Sequence, residues 1–77
     1  MSEKAAQILA ALGGKENVKS LESCITRLRV ELRDPSKLND KQLKLLGAVG
    51  VMKMGTAVQV VLGTMAERIE TEIKKLM

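Results

Sequence analysis

From Ile25 to Arg33 the chain alternates: Thr26, Leu28, Val30 and Leu32 fall on one side, and Ile25, Arg27, Arg29, Glu31 and Arg33 on the other. Side chains leave a strand alternately from its two faces, so the segment reads as a strand with one apolar and one wet face. A sheet built around it is covered on one face only.

The flanking segments supply the cover. Ala5, Ile8, Leu9 and Leu12 recur at helical spacing behind Ser2, a candidate cap, and Gly13-Gly14 ends that helix. Residues 17–23 are a weaker strand, because Val18 and Leu21 do not keep a period of two. Asp34-Pro35-Ser36 breaks the chain. A second helix is expected from Asn39-Asp40, burying Leu43 and Leu46, turning Lys41 and Lys44 to water and stopping at Gly47. Two Val-rich runs, Val49 to Met54 and Thr56 to Leu62, meet at Gly55 as a tight hairpin. In the second run Val58, Val60 and Leu62 share one face and Ala57, Gln59 and Val61 the other. The last and longest helix opens with Thr64 and Glu67 in capping-box spacing and carries Met65, Ile69, Ile73 and Leu76 on one stripe.

The order helix, strand, strand, helix, strand, strand, helix lacks the βαβ alternation of a parallel crossover sheet. It predicts an α+β fold: a four-stranded antiparallel sheet with three helices packed on one face. Seventy-seven residues without a linker or repeat are expected to form one domain, 1–77. Phe, Trp and Tyr are absent, so its core is aliphatic. The methionines Met52 and Met54 carry only a structural reading, as fillers of core gaps, and Lys53 likewise.

Several function classes are excluded or disfavoured. The net charge of +4 could suit a nucleic acid, but the lysines are spread along the chain beside acidic residues, and no aromatic ring offers a base a stacking surface. A single cysteine rules out an internal disulfide. Without histidine, zinc sites and Cys-His or Ser-His-Asp groupings within the chain are out of reach, and no metal or cofactor is expected. No apolar run approaches the roughly 20 residues of a membrane span, and no signal-peptide core is present. The chain is expected to be soluble, cytoplasmic and monomeric.

The one cysteine, Cys24, falls where the weak strand gives way to the clear one, on an expected loop at the sheet's edge. Arg27 and Arg29 follow on the wet face. Guanidinium charge beside the sulfur stabilises an anion there, and guanidinium groups take phosphoryl oxygens in bidentate fashion. Phosphoryl transfer asks a protein mainly for in-line positioning and charge stabilisation, and a thiolate nucleophile needs no general base from the chain. Composition and spacing alone favour a plainer reading, in which Cys24 is a small structural residue and Arg27 and Arg29 a solvated face balanced by Glu31.

The octapeptide Ser23-Cys24-Ile25-Thr26-Arg27-Leu28-Arg29-Val30 shifts that balance. It resembles the phosphocysteine motif of bacterial enzyme IIB domains of the glucose type, in the phosphoenolpyruvate-dependent sugar phosphotransferase system. Gly13-Gly14-Lys15-Glu16-Asn17 is similar to that family's glycine turn, and 45–51 and 58–63 to its later strands, so the resemblance covers nearly the whole chain. It implies the same four-stranded fold. It also implies that Cys24 takes a phosphoryl group from a phosphohistidine of a IIA protein or domain and passes it to a sugar held by a membrane-embedded IIC permease. Thr26, Arg27 and Arg29 match positions linked to the second transfer, and Gln59 a position beside the site. The sequence Cys24-Ile25-Thr26 is similar to the glucose and N-acetylglucosamine subgroup. The resemblance places the domain in the cytoplasm, tethered to or associated with the inner face of the membrane.

If the Gln59 strand neighbours the arginine strand, Ala57, Gln59 and Val61 share a wet face with Arg27 and Arg29; a solvent-facing glutamine is the equally plain reading. Ile25, with Val61 and Ala57, would then form a small apolar patch on which a donor could dock. The competing readings are a basic α+β nucleic-acid-binding module, for which Gly47-Ala48-Val49-Gly50 offers a G-x-x-G loop, and an interaction module with an inert cysteine.

Overall fold

The computed structural model describes residues 2–77, Ser2 by its backbone alone, so the expected Ser2 cap lies outside the described residues. Helix α1 (Ser2–Ala11) is followed by β1 (Val18–Cys24), β2 (Arg27–Leu32), α2 (Asp40–Leu45), β3 (Gly50–Met54), β4 (Ala57–Val61) and α3 (Ala66–Leu76). Short 3-10 turns at Lys15–Asn17, Pro35–Lys37 and Gly63–Met65 join them. The strands form one antiparallel sheet in the order β1-β2-β4-β3, with the helices against one face. This is the α+β arrangement expected from the element order.

The covered face is made by alternation. Leu28, Val30 and Leu32 of β2 and Val58 and Val60 of β4 are buried, and they meet Ala5, Ile8, Leu9 and Leu12 of α1 and its C-terminal end, Leu43 of α2, and Ile69 and Ile73 of α3. Burying an Ile or Leu side chain stabilises by about 1.5–3 kcal/mol, so this aliphatic interior is sufficient without an aromatic ring. β1 reaches the same face by a different device. Its register shifts between Val18 and Ser20, leaving Lys19 as an extra residue. That bulge turns Val18 and Leu21, three apart, onto one side, which is why they fail to show a period of two in the sequence.

Loop ends are fixed by hydrogen bonds. α1 closes as a Schellman motif: Gly14 N–H donates to the Leu9 carbonyl at 2.9 Å and Gly13 N–H to that of Ala10 at 3.0 Å, with Gly13 at φ 106°. Asn17, 3% exposed, then locks the corner. Its Nδ2 donates to the Leu12 carbonyl at 2.8 Å and the Asp34 carbonyl at 3.0 Å, while its Oδ1 accepts from Asp34 N–H at 2.8 Å. A side chain at Gly13 would collide with this amide. At α2, Asn39 caps as expected, its Oδ1 accepting from Gln42 N–H at 3.1 Å; Leu43 is buried, Leu46 half-buried, and Lys41 and Lys44 exposed.

Three expectations are corrected. The Thr64 and Glu67 capping box does not form: α3 follows Met65, which makes no side-chain cap, and Thr64 lies inside the Gly63–Met65 turn. The cause lies upstream, where the N–H groups of Leu62 and Gly63 both donate to the Thr26 carbonyl and hold the chain away from a direct helix start. Leu76, at the end of the α3 stripe, is exposed, whereas Ile69 and Ile73 are fully buried. Met52 and Met54 do not fill the core. In β3 it is Val51 that packs against the core, so Met52 and Met54 fall on the open face and are exposed.

Candidate functional site

The site lies at the tip of the first hairpin. Cys24 is the last residue of β1 and pairs with Arg27, the first of β2, so Ile25 and Thr26 form a two-residue turn. This corrects the expected loop position of the cysteine and the expected start of the strand at Ile25. Cys24 is a free, exposed thiol on the same open face as Arg27. Side chains directly opposite in an antiparallel pair stand about 5 Å apart at Cβ, which brings the Arg27 stem beside the sulfur.

The turn itself is unusual. Ile25 has φ 56°, the left-handed region in which a β-branched side chain crowds its own backbone, and is 87% exposed. Such a conformation costs about 1–3 kcal/mol and persists only where the surroundings over-determine it. One restraint is the pair of hydrogen bonds accepted by the Thr26 carbonyl from Leu62 and Gly63 N–H, each 3.0 Å. Thr26 is thereby tied to the end of β4, and with Ile25 it borders an open groove lined further by Thr64, Glu67, Arg68 and Thr71.

A second restraint acts one residue before the cysteine. Ser23 faces the helices, and its Oγ donates to Glu70 Oε1 of α3 at 2.6 Å. Glu70 Oε2 accepts from Lys74 Nζ at 2.9 Å. The Ser23 hydroxyl first, and the Lys74 ammonium second, hold the Glu70 carboxyl below the ordinary glutamate range. The sequence offered no signal for this contact, because its partners lie 47 residues apart and belong to no shared periodicity.

β4 completes the open face. Arg27 pairs in register with Val61 and Arg29 with Gln59. Arg27 Nη1 donates to Gln59 Oε1 at 2.9 Å, which aims the guanidinium across the sheet and leaves it further donors. The expectation that Gln59 shares the wet face with both arginines is therefore met. Arg29 lies two residues further along β2, opposite Glu22, about 7 Å from the Cys24 row at strand spacing. Among the described residues neither arginine is in an ion pair, so both charges are available to an anion. Ala57, in contrast, pairs with Glu31 and Met54 at the other end of the sheet. It cannot join Ile25 and Val61 in an apolar patch.

The arrangement suits an anion on sulfur: an exposed thiol, an arginine paired directly opposite it whose guanidinium is held by an amide of β4, and a second arginine along the same face. The G-x-x-G segment has no comparable setting. Gly47 to Gly50 joins α2 to β3, not two helices, and Gly50 is itself in the strand. Among the described residues no helix is long and apolar enough to cross a membrane.

Comparison with known proteins agrees with this geometry. A family model described as phosphotransferase system, EIIB, matches residues 6–39, which include Cys24, Thr26, Arg27 and Arg29. The chain is 53% identical over 77 residues to the N-acetylglucosamine-specific EIIB component of Streptomyces coelicolor, with each chain covered in full. It is 47% identical to the alpha-glucoside-specific EIICB component of Leptotrichia buccalis, covering 99% of this chain and 15% of that one. The glucose-specific EIICBA component of Staphylococcus carnosus is 42% identical over 76 residues, covering 99% of this chain and 11% of that one. A solved domain of the phosphotransferase system IIabc component from Clostridium difficile superposes with a TM-score of 0.79 at 31% identity, over 97% of this chain and 81% of that one.

Proposed function

The chain belongs to the EIIB family of the phosphotransferase system and is a phosphoryl carrier in sugar uptake, and on that premise we propose that the carrier atom is the sulfur of Cys24. The thiolate attacks the phosphorus of an N-phosphohistidine on a IIA partner. A P–S bond forms as the P–N bond breaks, and the electron pair stays on the imidazole nitrogen. In the second step a hydroxyl of a sugar held by a IIC partner attacks the same phosphorus. The P–S bond breaks, sulfur leaves as thiolate, a P–O bond forms, and the hydroxyl proton passes to the surroundings.

The observation that carries this reading is the pairing of exposed Cys24 with Arg27, whose guanidinium is held by Gln59. Charge on a phosphoryl group in transfer spreads over its outer oxygens, and preorganised guanidinium donors stabilise it without a metal. Arg27 is the immediate clamp in this reading and Arg29 the further one. Thr26 shapes the turn through its carbonyl, and Ile25 presents the exposed tip to the partners. N-acetylglucosamine or glucose is the sugar class, following the full-length relative and the glucose-specific one. The domain works at the cytoplasmic side of the membrane, between donor and permease, and 1–77 acts as one unit.

Intact mass measurement after incubation with phosphoenolpyruvate and a reconstituted upstream cascade tests the assignment. The wild type should gain one phosphoryl mass and Cys24→Ser none. A Cys24→Ser protein that gains the mass as well places the phosphoryl group elsewhere and overturns the reading.

A further inference from the structure

We propose that Glu70 is a positioning residue for phosphoryl transfer at Cys24, acting through its hydrogen bond to Ser23; the inference rests on the reading of Cys24 as the carrier thiol. β1 is an edge strand, paired on one side only, by β2. Its last residue therefore has no strand on its outer side to hold it. The turn that follows contains Ile25 at φ 56°, so relaxation of the hairpin tip would be favourable wherever the surroundings allowed it.

Two tethers oppose that relaxation, one on each side of the cysteine in sequence. Beyond it, the Thr26 carbonyl is fixed by Leu62 and Gly63. Before it, Ser23 is fixed by Glu70. The second tether is a hydroxyl-to-carboxylate bond of 2.6 Å, a short charge-assisted type, and Lys74 holds the carboxylate from its other oxygen. α3 also packs against β1 and is anchored by fully buried Ile69 and Ile73, so the acceptor stands on a rigid element. Because Ser23 and Cys24 leave the strand on opposite faces, pulling Ser23 toward the helices sets the height of the thiol on the open face without touching the reacting atoms. An in-line displacement is sensitive to that height: a displacement of about 1 Å can cost on the order of 100-fold in rate.

The test is a quenched-flow measurement of single-turnover phosphoryl gain from the donor, with Ser23→Ala, Ser23→Thr, Glu70→Ala and the double variant Ser23→Ala/Glu70→Ala, each at a temperature where circular dichroism shows it folded. Ser23→Ala and Glu70→Ala should each slow the gain about tenfold, a smaller loss than a full 1 Å shift gives. The double variant should be no slower than the slower single, as expected for two halves of one contact. Ser23→Thr keeps the hydroxyl and should stay within about twofold of wild type, which a role confined to overall stability would not require. Should Glu70→Ala fail to fold, the Ser23→Ala and Ser23→Thr pair decides alone. Wild-type rates in folded Ser23→Ala, or losses that multiply in the double variant, overturn the positioning role while leaving the carrier reading intact. A wild type that gains no phosphoryl group overturns both.

Discussion

The two hairpins of this sheet share one backbone plan and use it differently. Both have two-residue turns between directly paired residues, Cys24 with Arg27 and Met54 with Ala57, and both place the first turn residue at positive φ. In the second hairpin that residue is Gly55 at φ 63°, which has no Cβ to crowd. In the first it is Ile25 at φ 56°. The second turn is the low-cost solution to joining two strands. Both turns tie the carbonyl of their second residue to a neighbouring strand end, Thr26 accepting from Leu62 and Gly63 N–H and Thr56 from Leu32 N–H at 2.8 Å, but the first carries a strained residue and is the one joined to a helix, by Ser23 to α3. The strained residue and the tether to a helix both fall at the turn that follows Cys24, and the second turn has neither.

The contrast is open to attack at its chemical end first. Replacing Arg27 with Lys keeps a charge opposite Cys24 but loses the planar fork and its bond to Gln59. We expect phosphoryl acceptance from the donor to persist while transfer to sugar falls about 10-fold to 100-fold, measured as separate half-reactions. Sugar transfer at the wild-type rate would remove Arg27 from the second step.

Exchanging the turn residues gives the next largest effect. Gly55→Ile puts a β-branched residue at positive φ without the helix tether of the first turn, and should destabilise by about 1–3 kcal/mol, read as a lower thermal midpoint with phosphoryl acceptance unchanged in the folded protein. Ile25→Gly should raise the midpoint by a few degrees and yet slow phosphoryl acceptance. If it speeds acceptance instead, the strain at Ile25 is incidental.

The smallest expected effect is on acid stability. The Glu70 carboxyl titrates in the folded chain below its ordinary value of 4.5 because it is bound by Ser23 and Lys74. The unfolded state therefore takes up its proton first as the pH falls. Its stabilising contribution is full above 4.5 and is lost as the pH drops through the folded value. Urea midpoints between pH 6 and pH 3, chosen to span that window around 4.5, should fall less in Glu70→Gln than in wild type; parallel curves would show that the bond does not couple to folding.

Most of the architecture was legible because it is written in local periodicities. The alternation of 25–33 yielded β2 and its wet face, although the first two of those residues belong to the turn, where a two-residue reversal leaves no break in the pattern. The Val-rich runs around Gly55 yielded β3, β4 and their hairpin, and the spacing of Ala5, Ile8, Leu9 and Leu12 yielded α1. Failures came where a distant contact outweighed a local preference. Thr64 and Glu67 have capping-box spacing, but the Thr26 carbonyl holds the chain in a 3-10 turn at that point. The weak strand expected at 17–23 is present as β1; its signal was faint because the bulge at Lys19 is a property of the pairing with β2.

The sequence by itself determined the chemistry available: one thiol, no imidazole, and two arginines at strand spacing from it. It also determined the fold class, since alternation and helical spacing act between near neighbours in the chain. Only the tertiary structure decided that Gln59 faces Arg27, that Ile25 is left-handed, and that Ser23 leans on a carboxylate 47 residues away. These depend on strand register and helix packing, which are set by the simultaneous burial of Leu28, Val58, Val60, Ile69 and Ile73 in one core. No segment holds that information alone, because each face is chosen only when its partner arrives.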